Sequence, residues 1–223
     1  MREPWAGPTG PVRRGPVGGW WLDGLLLGGF VLVTVALATG TRALDLDVAV
    51  ADWADAHRPR VGYLIARGLN YAGQGGPLLT LTGLIAAWLA WRRRSWWPLL
   101  VPTLGVLLTY LAVGPVKLLT DRAAPSEPTL AHPELLFHDP GGMSYPSGHV
   151  VNALVWYTAL LVLLGDAVPS RLAAGIQLGA PVLIVATTTY LGWHWISDGV
   201  AAVLLGLPLA RLLRRVTDRW VPA

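Results

Sequence analysis

The sequence has no cysteine among its 223 residues, and only 13% of its residues are charged. The absence of cysteine excludes a disulfide-stapled secreted module and a cysteine-ligated zinc site. Soluble domains carry about 25% charged residues. The shortage of charge, with long apolar runs between short charged segments, therefore excludes a soluble enzyme with one aqueous surface. Phenylalanine is scarce too, with two residues against twelve tryptophans, and tryptophan is typical of the lipid–water boundary.

The apolar residues lie in runs of roughly 20, which is the length of a helix that crosses a bilayer. We therefore predict an all-α polytopic membrane protein, a bundle of six transmembrane helices forming one domain at residues 20–215. The predicted spans lie at about residues 20–40, 77–91, 96–119, 150–164, 172–193 and 196–213. Residues 1–19, rich in glycine and proline, are predicted to form a disordered cytoplasmic N-terminus, and residues 216–223 a cytoplasmic tail.

The arginines determine the predicted orientation. They flank the apolar runs instead of forming one basic face, so the net charge of +4 indicates a bilayer and not a nucleic acid as partner. With six spans the arginine-rich segments share one side, which the positive-inside rule makes the cytoplasm. Both termini are then cytoplasmic, and segments 41–76, 120–149 and the region around residue 194 lie on the outer (periplasmic or extracellular) face. The sequence makes no prediction of oligomeric state.

Two polar segments on this outer face need an interpretation. Residues 41–60 predict a short amphipathic helix on the membrane surface. Its acidic residues are candidate metal ligands, but a solvated face is favoured because nothing else in the segment completes a site; they are Asp45, Asp47, Asp52 and Asp55. Residues 120–146 are predicted to form a solvated lid over an active site, in preference to a second site or a metal centre; the segment carries His132, Glu134, His138 and Asp139.

Three short motifs on the same face carry candidate chemistry. The first contains Lys117, the only lysine in the chain, at the outer end of the third span. A lysine that extends from the membrane boundary to water is the simpler interpretation of this residue taken alone.

The second motif, Ser147-Gly148-His149, leads into the fourth span. Serine is a good N-cap residue, and glycine lets a ligand approach the backbone closely. The first N–H groups of a helix have no intrahelical partner and bind anions readily, and His149 would lie beside such an anion. The structural alternative is a capped helix with a histidine at the headgroup level.

The third motif pairs His194 with Asp198, four residues later. If a helix begins near His194, the two share a face. The carboxylate can then accept the Nδ1 proton and leave Nε2 as an oriented nucleophile or base. A local hydrogen-bonded or capping pair is the alternative, although an ionisable pair at a membrane boundary favours a functional site.

Together these motifs predict phosphoryl transfer. That reaction requires positive charge for the equatorial oxygens, an in-line nucleophile and an acid for the leaving oxygen. Lys117 and Arg122 supply the charge, and His149 and His194 titrate near neutral pH, as the other two roles require. No cluster of carboxylates is available to hold a metal, so we predict neither a metal nor a cofactor.

The three motifs resemble those of the type 2 phosphatidic acid phosphatase superfamily of membrane lipid phosphatases. The resemblance implies a six-helix membrane bundle that hydrolyses a lipid phosphate without metal through a phosphohistidine. It implies that His194 is the nucleophile, Asp198 its orienting partner and His149 the acid that protonates the leaving group. It also implies a phosphate site containing Lys117, Ser147 and Gly148.

Two positions depart from the family pattern. The first motif usually has arginine where this chain has Ala124, and the third usually opens with Ser-Arg where this chain has Thr187-Thr188. Both usual phosphate-clamping arginines are therefore absent. Arg122 is the candidate to replace one of them, because its side chain can reach a neighbouring anion, and Thr188 can donate one neutral hydrogen bond.

Three functions are compatible with this pattern. The leading hypothesis is a hydrolase of a lipid phosphate or diphosphate, resembling phosphatidic acid or a polyprenyl diphosphate. The second is a lipid phosphotransferase that moves a phospho-headgroup to an acceptor, suggested by Ala124 and Thr188. The third is a catalytically silent lipid-binding relative, which is disfavoured because the nucleophile, its partner and the acid are all present.

Overall fold

A computed structural model of the chain describes residues 19–127, 132–137 and 142–219. These residues contain no strand and fold into eight α-helices, which confirms the predicted all-α class. The helices are α1 (Trp20–Ala38), α2 (Arg42–Ala56), α3 (Arg60–Asn70), α4 (Gly75–Arg93), α5 (Trp97–Thr120), α6 (Gly148–Leu164), α7 (Ser170–Tyr190) and α8 (Ile196–Asp218). The predicted disordered segment, apart from Gly19, and the last four residues of the predicted tail lie outside the described residues.

Each of the six predicted spans falls on a helix. Among the described residues, five helices are long and apolar enough to cross a membrane, namely α1, α5, α6 with the short helical turn that follows it, α7 and α8. The remaining predicted span, α4, is not among them: it opens on Gly75 and Gly76 and ends on Arg92 and Arg93. Its length and composition alone therefore do not confirm a sixth crossing.

Helix α6 is the centre of the bundle, because α4, α5, α7 and α8 all pack against it. Most of its side chains are buried, including Val151, Val155 and Trp156. Its contact with α8 is close at Gly206, where a Cβ atom would lie 2.7 Å from Leu154 Cδ1. The glycine is needed there so that the two helices can approach each other.

Helix α1 is joined to the rest of the molecule by polar contacts near both of its ends. Asp23 forms ion pairs of 2.5 Å with Arg211 and Arg215 of α8. Near the other end, the Thr34 and Tyr145 hydroxyls are 2.6 Å apart. Burial raises the pKa of Tyr145 to about 12, so this residue stays neutral and keeps its hydrogen bond at physiological pH.

The predicted amphipathic helix at residues 41–60 is confirmed as α2, but the interpretation of its acidic residues is wrong at one position. Asp45, Asp52 and Asp55 are exposed, whereas Asp47 is only 1% exposed.

Helix α3, which the sequence did not predict, follows α2 directly. It leaves a row of apolar side chains exposed, including Val61, Leu64, Ile65 and Leu69, which is typical of a helix at a lipid boundary.

The segment between α5 and α6 is not the solvated lid that the sequence predicted. Much of its described part is buried in the bundle, including Arg122, Ala123, Leu136, Ser144 and Tyr145. His132 fits the prediction, because its ring is exposed, and it pairs with Glu134 at 3.2 Å. His138 and Asp139 lie outside the described residues.

Candidate active site

A cavity of about 300 Å³ opens where the N-termini of α4 and α6 meet the C-terminal turn of α5 and the turn before α8. Its lining consists of Gln74, Gly75, Lys117, Met143, Gly148, His149, Asn152 and His194. Four of the residues predicted from the three motifs therefore surround one space. The fold brings them together because α5, α6 and α8 all place a motif at the same end of the bundle.

The two histidines lie beside each other at this cavity. His149 is in the first turn of α6 and is partly exposed, whereas His194 precedes α8 and is 6% exposed. Their ring centroids are 5.7 Å apart and the rings are edge-on. The centroid of the Trp193 indole lies 6.0 Å from that of the His149 ring. A ligand in the cavity would therefore contact both imidazoles.

Lys117 supplies the positive charge of the cavity. It lies in the last turn of α5, and its ammonium donates a hydrogen bond to the Met143 carbonyl. Its Cε atom is 3.6 Å from the position that a Cβ at Gly148 would occupy. The lysine thus lies against the N-terminus of α6, whose free N–H groups favour an anion as well.

Asp198 lies behind His194, away from the cavity. Its Oδ2 atom is 3.4 Å from His194 Nδ1, and it also accepts hydrogen bonds from the Ser144 hydroxyl and, at 3.0 Å, from the Trp195 amide. The carboxylate is fully buried in the first turn of α8. A proton on Nδ1 facing this carboxylate leaves the Nε2 lone pair for the cavity.

Arg122 occupies the far side of Asp198. Its guanidinium pairs with Asp198 at 2.6 Å and with Asp47 at 2.5 Å, and it donates to the Ser197 hydroxyl at 2.8 Å and to the Glu134 carbonyl at 2.9 Å. The side chain is fully buried and does not line the cavity. This placement does not support the prediction that Arg122 binds phosphate, because its guanidinium is held among protein acceptors away from the cavity.

Asp47 was not recognised from the sequence as part of a site. Its two carboxylate oxygens accept hydrogen bonds from Arg122, from the Ser197 amide at 2.9 Å and from the Ser197 hydroxyl at 2.5 Å. The sequence pattern predicted a solvated face for this residue together with the other acidic residues of α2. The buried face contains Leu44, Asp47 and Ala54. Asp47, Arg122, Ser144, Ser197 and Asp198 are called the buried network below.

Ser147 and Thr188, both predicted to bind phosphate, do not line the cavity. Ser147 is the N-cap residue of α6 and is fully buried; its hydroxyl does not cap the helix and has no hydrogen-bond partner among the described residues. The Thr188 hydroxyl donates to the Ile184 carbonyl at 2.7 Å within α7. The Thr188 carbonyl accepts from the amide of Trp193 at 3.0 Å, so Thr188 shapes the turn that carries His194.

The cavity has two polar lining residues that the motifs did not indicate. Gln74 is the N-cap residue of α4, and Asn152 lies one turn after His149 on α6. Amides are common in loops and helix starts, so only the spatial arrangement reveals them. Across the described residues, no group of three or more His, Cys, Asp or Glu side chains is arranged to hold a metal ion.

Comparisons with known proteins found a matching family model, similar proteins and a similar solved structure. Residues 98–222 match the family model of the PAP2 superfamily. The chain is 31% identical over 158 residues to decaprenylphosphoryl-5-phosphoribose phosphatase of Mycobacterium tuberculosis, in strains CDC 1551 / Oshkosh and H37Rv, covering 68% of this chain and 78% of that protein. A solved structure, the transmembrane PAP2 type phosphatidylglycerolphosphate phosphatase from Bacillus subtilis, is similar with a TM-score of 0.73 and 25% identity. That match covers 91% of this chain and 98% of the other.

Proposed function

The chain belongs to the PAP2 superfamily, and from that premise we propose that its cavity hydrolyses a phosphate ester or diphosphate carried by a lipid, through a covalent intermediate on His194. The relatives are named as phosphatases of lipid phosphates, and this chain is a multi-pass membrane phosphatase of the same broad class.

In the first proposed step, Nε2 of neutral His194 attacks the phosphorus and the bond from phosphorus to the leaving oxygen breaks. His149 gives its proton to that oxygen, so that an ester substrate releases a neutral alcohol and a diphosphate releases a lipid monophosphate protonated at that oxygen. Asp198 stabilises the positive charge that develops on the phosphorylated imidazole, because it faces Nδ1. Lys117 and the N-terminus of α6 hold the phosphoryl oxygens.

In the second proposed step, a water molecule attacks the phosphohistidine. His149, now neutral, accepts a proton from this water, and the bond from phosphorus to Nε2 breaks. Inorganic phosphate leaves, and His194 and His149 return to their starting protonation states. The balance requires only water, so we propose that hydrolysis needs no metal.

One observation carries this proposal. His149 and His194 lie 5.7 Å apart between ring centroids at the cavity that Lys117 also lines. Within the described part of the chain, only His194 of this pair has a carboxylate partner. The asymmetry distinguishes a nucleophile, which needs an oriented neutral ring, from an acid, which needs a proton to give away.

For topology we propose six crossings, including α4, with both termini in the cytoplasm and the cavity on the outer face. The support is that α4 packs against both α5 and α6 and that the arginine-rich ends of the helices share one side. Because the native sequence has no cysteine, single cysteines can be introduced one at a time. A cysteine at Arg94 should be blocked only by a membrane-permeant reagent, and one at Glu134 by an impermeant reagent.

The experiment that tests the function is phosphate release by the purified chain in detergent with EDTA. The panel contains phosphatidic acid, phosphatidylglycerol phosphate and a polyprenyl diphosphate, each assayed with wild type and with His194→Ala. We expect release that survives EDTA and is lost in the variant. Absence of release by the wild type from every substrate would contradict the proposal.

Phosphoryl transfer is the second candidate, and the absence of both clamping arginines at Ala124 and Thr188 favours it. In this case the intermediate would be attacked by an acceptor hydroxyl in place of water. The same panel with and without a polyol or lipid acceptor separates the two functions. Transfer requires product to form only when the acceptor is present, and hydrolysis requires equal turnover without it.

A further inference from the structure

The amide of Asn152 has a defined orientation. Trp156 Nε1 donates to Asn152 Oδ1 at 3.2 Å, and because an indole N–H can only donate, the oxygen must face the tryptophan. The two N–H groups of Nδ2 therefore point the other way. They lie against Gly75 at the start of α4, where a Cβ atom would be 2.7 Å from Nδ2. Glycine is needed at this position for the amide to reach the cavity.

Gln74 adds a second amide to the same wall. Its side chain lines the cavity and does not cap α4. It offers both a carbonyl acceptor and N–H donors. Gln74 and Asn152 thus form a neutral wall with donors and an acceptor, which differs from the cationic wall around Lys117.

Gln74 and Asn152 lie close to the position that the leaving group of the substrate would occupy. Asn152 follows His149 by three residues on α6, so it lies on the same face and about 4.5 Å further along the helix axis. In the proposed mechanism His149 protonates the leaving oxygen. The group attached to that oxygen then extends along α6 towards Asn152 and Gln74.

We propose that Gln74 and Asn152 form a subsite for the alcohol part of the substrate, and that this alcohol carries free hydroxyl groups next to the phosphate, as a sugar or glycerol headgroup does. This inference rests on the proposed function. Hydroxyls both donate and accept, and so match two amides. A diphosphate would leave as an anion and would require cations here, whereas a diacylglycerol offers ester carbonyls that can only accept.

The test compares two substrates that differ by one hydroxyl. They are phosphatidylglycerol phosphate and its analogue in which the headgroup hydroxyl is replaced by hydrogen, with the same acyl chains. For the wild type we expect kcat/KM to be at least about tenfold higher for the hydroxylated lipid, because an unpaired amide disfavours the analogue. Asn152→Ala and Gln74→Ala should each reduce this ratio to within about threefold, mainly by lowering kcat/KM for the hydroxylated substrate.

Two further variants sharpen the test. Trp156→Phe removes the donor that orients Asn152, and the ratio should fall by a smaller factor of about two. Gln177→Ala removes an amide that lines a different cavity, between α6, α7 and α8, and should leave the ratio unchanged. Partial misfolding of a variant lowers both rates equally, so it does not change the ratio.

The outcomes separate the subsite from the proposed function. Phosphate release from both lipids without a preference for the hydroxyl would overturn the subsite and leave the proposed function standing. An equal loss on both substrates in Asn152→Ala would overturn it too. No release from any substrate would overturn the proposed function, and the subsite with it.

Discussion

The two sides of His194 differ in how their polar groups are used. Behind the ring, the buried network pairs Asp47, Arg122 and Asp198 with protein partners at 2.5 to 2.6 Å. In front of the ring, the cavity presents Lys117, His149 and two amides to open space. The difference indicates that the two sides have separate roles. The buried network holds the imidazole in position, and the cavity wall keeps hydrogen-bond donors available for a ligand.

The buried network also determines the net charge next to the His194 ring. Two carboxylates share one guanidinium, so the network carries one net negative charge next to Nδ1 of His194. Removing one member of a buried ionic group leaves an uncompensated charge, which typically costs about 3–5 kcal/mol. Substitutions in the network should therefore affect both stability and activity, while those in the cavity wall should affect activity alone.

The largest effect is expected from His194→Ala, which removes the proposed nucleophile. We expect kcat to fall by at least about 10³-fold, because the remaining groups cannot form the covalent intermediate. Thermal unfolding in detergent should change little, since the ring faces a cavity. A variant that keeps a tenth of the activity would show that His194 is not the nucleophile.

Arg122→Gln tests the buried network behind the His194 ring. It leaves Asp47 and Asp198 buried without a counter-charge, and we expect a loss of about 3–5 kcal/mol in the free energy of unfolding together with the loss of activity. The double variant Arg122→Gln/Asp47→Asn removes one carboxylate as well and should recover part of that stability. If the single variant unfolds like the wild type, the network does not hold the site.

The pH dependence of kcat/KM should be bell-shaped. His194 must be neutral to attack, and His149 must be protonated to assist the departure of the leaving group. On each side of the optimum, kcat/KM should therefore fall by roughly tenfold per pH unit. The measurement is the initial rate from pH 5 to pH 9 at constant ionic strength. A flat profile would count against two catalytic histidines.

Asp47→Asn should have a smaller effect, with kcat reduced by about tenfold. Without the carboxylate of Asp47, Arg122 neutralises Asp198 fully, and less negative charge remains to stabilise the phosphorylated imidazole. Other charges near the ring, on Lys117 and His149, are unaltered.

Asp45→Asn is the matched control for this substitution. It lies on the same helix as Asp47, two residues away, and is exposed, so neither kcat nor the pH profile should change. Equal behaviour of the two variants would mean that Asp47 has no influence on the reaction.

The smallest effect is expected from Tyr145→Phe, because Tyr145 belongs neither to the buried network nor to the lining of the cavity. It removes the contact with Thr34, worth about 0.5–1.5 kcal/mol, and should change kcat by less than about threefold. Since burial raises the pKa of Tyr145 to about 12, the residue does not titrate between pH 5 and pH 9. The pH profile of the variant should therefore match that of the wild type.

The sequence predicted the cavity side better than the network side. Lys117, Gly148, His149 and His194 lie in short motifs whose spacing carries chemical meaning, and all four line the cavity. The phase of α2 was misread, so Asp47 was assigned to a solvated face. Nothing local distinguishes it from Asp45, because its partner Arg122 lies far along the chain.

Arg122 shows a second limit of sequence reasoning. Its position near the first motif suggested phosphate binding, but the direction of its side chain depends on Asp121, the C-cap residue of α5, which has a left-handed backbone conformation. After that turn Arg122 enters the bundle and meets Asp47 and Asp198. The six helices predicted as spans were recognisable from their long apolar runs, whereas α3, which is short and less apolar, was not.

The most direct test of the account is to trap the intermediate. The wild type is quenched during turnover of a labelled lipid phosphate, and the position of the label is determined after proteolysis. We predict an acid-labile, base-stable phosphoryl group on His194 that is absent from His194→Ala. Label on another residue, or turnover without any labelled protein under conditions where the first step is fast, would contradict the central claim.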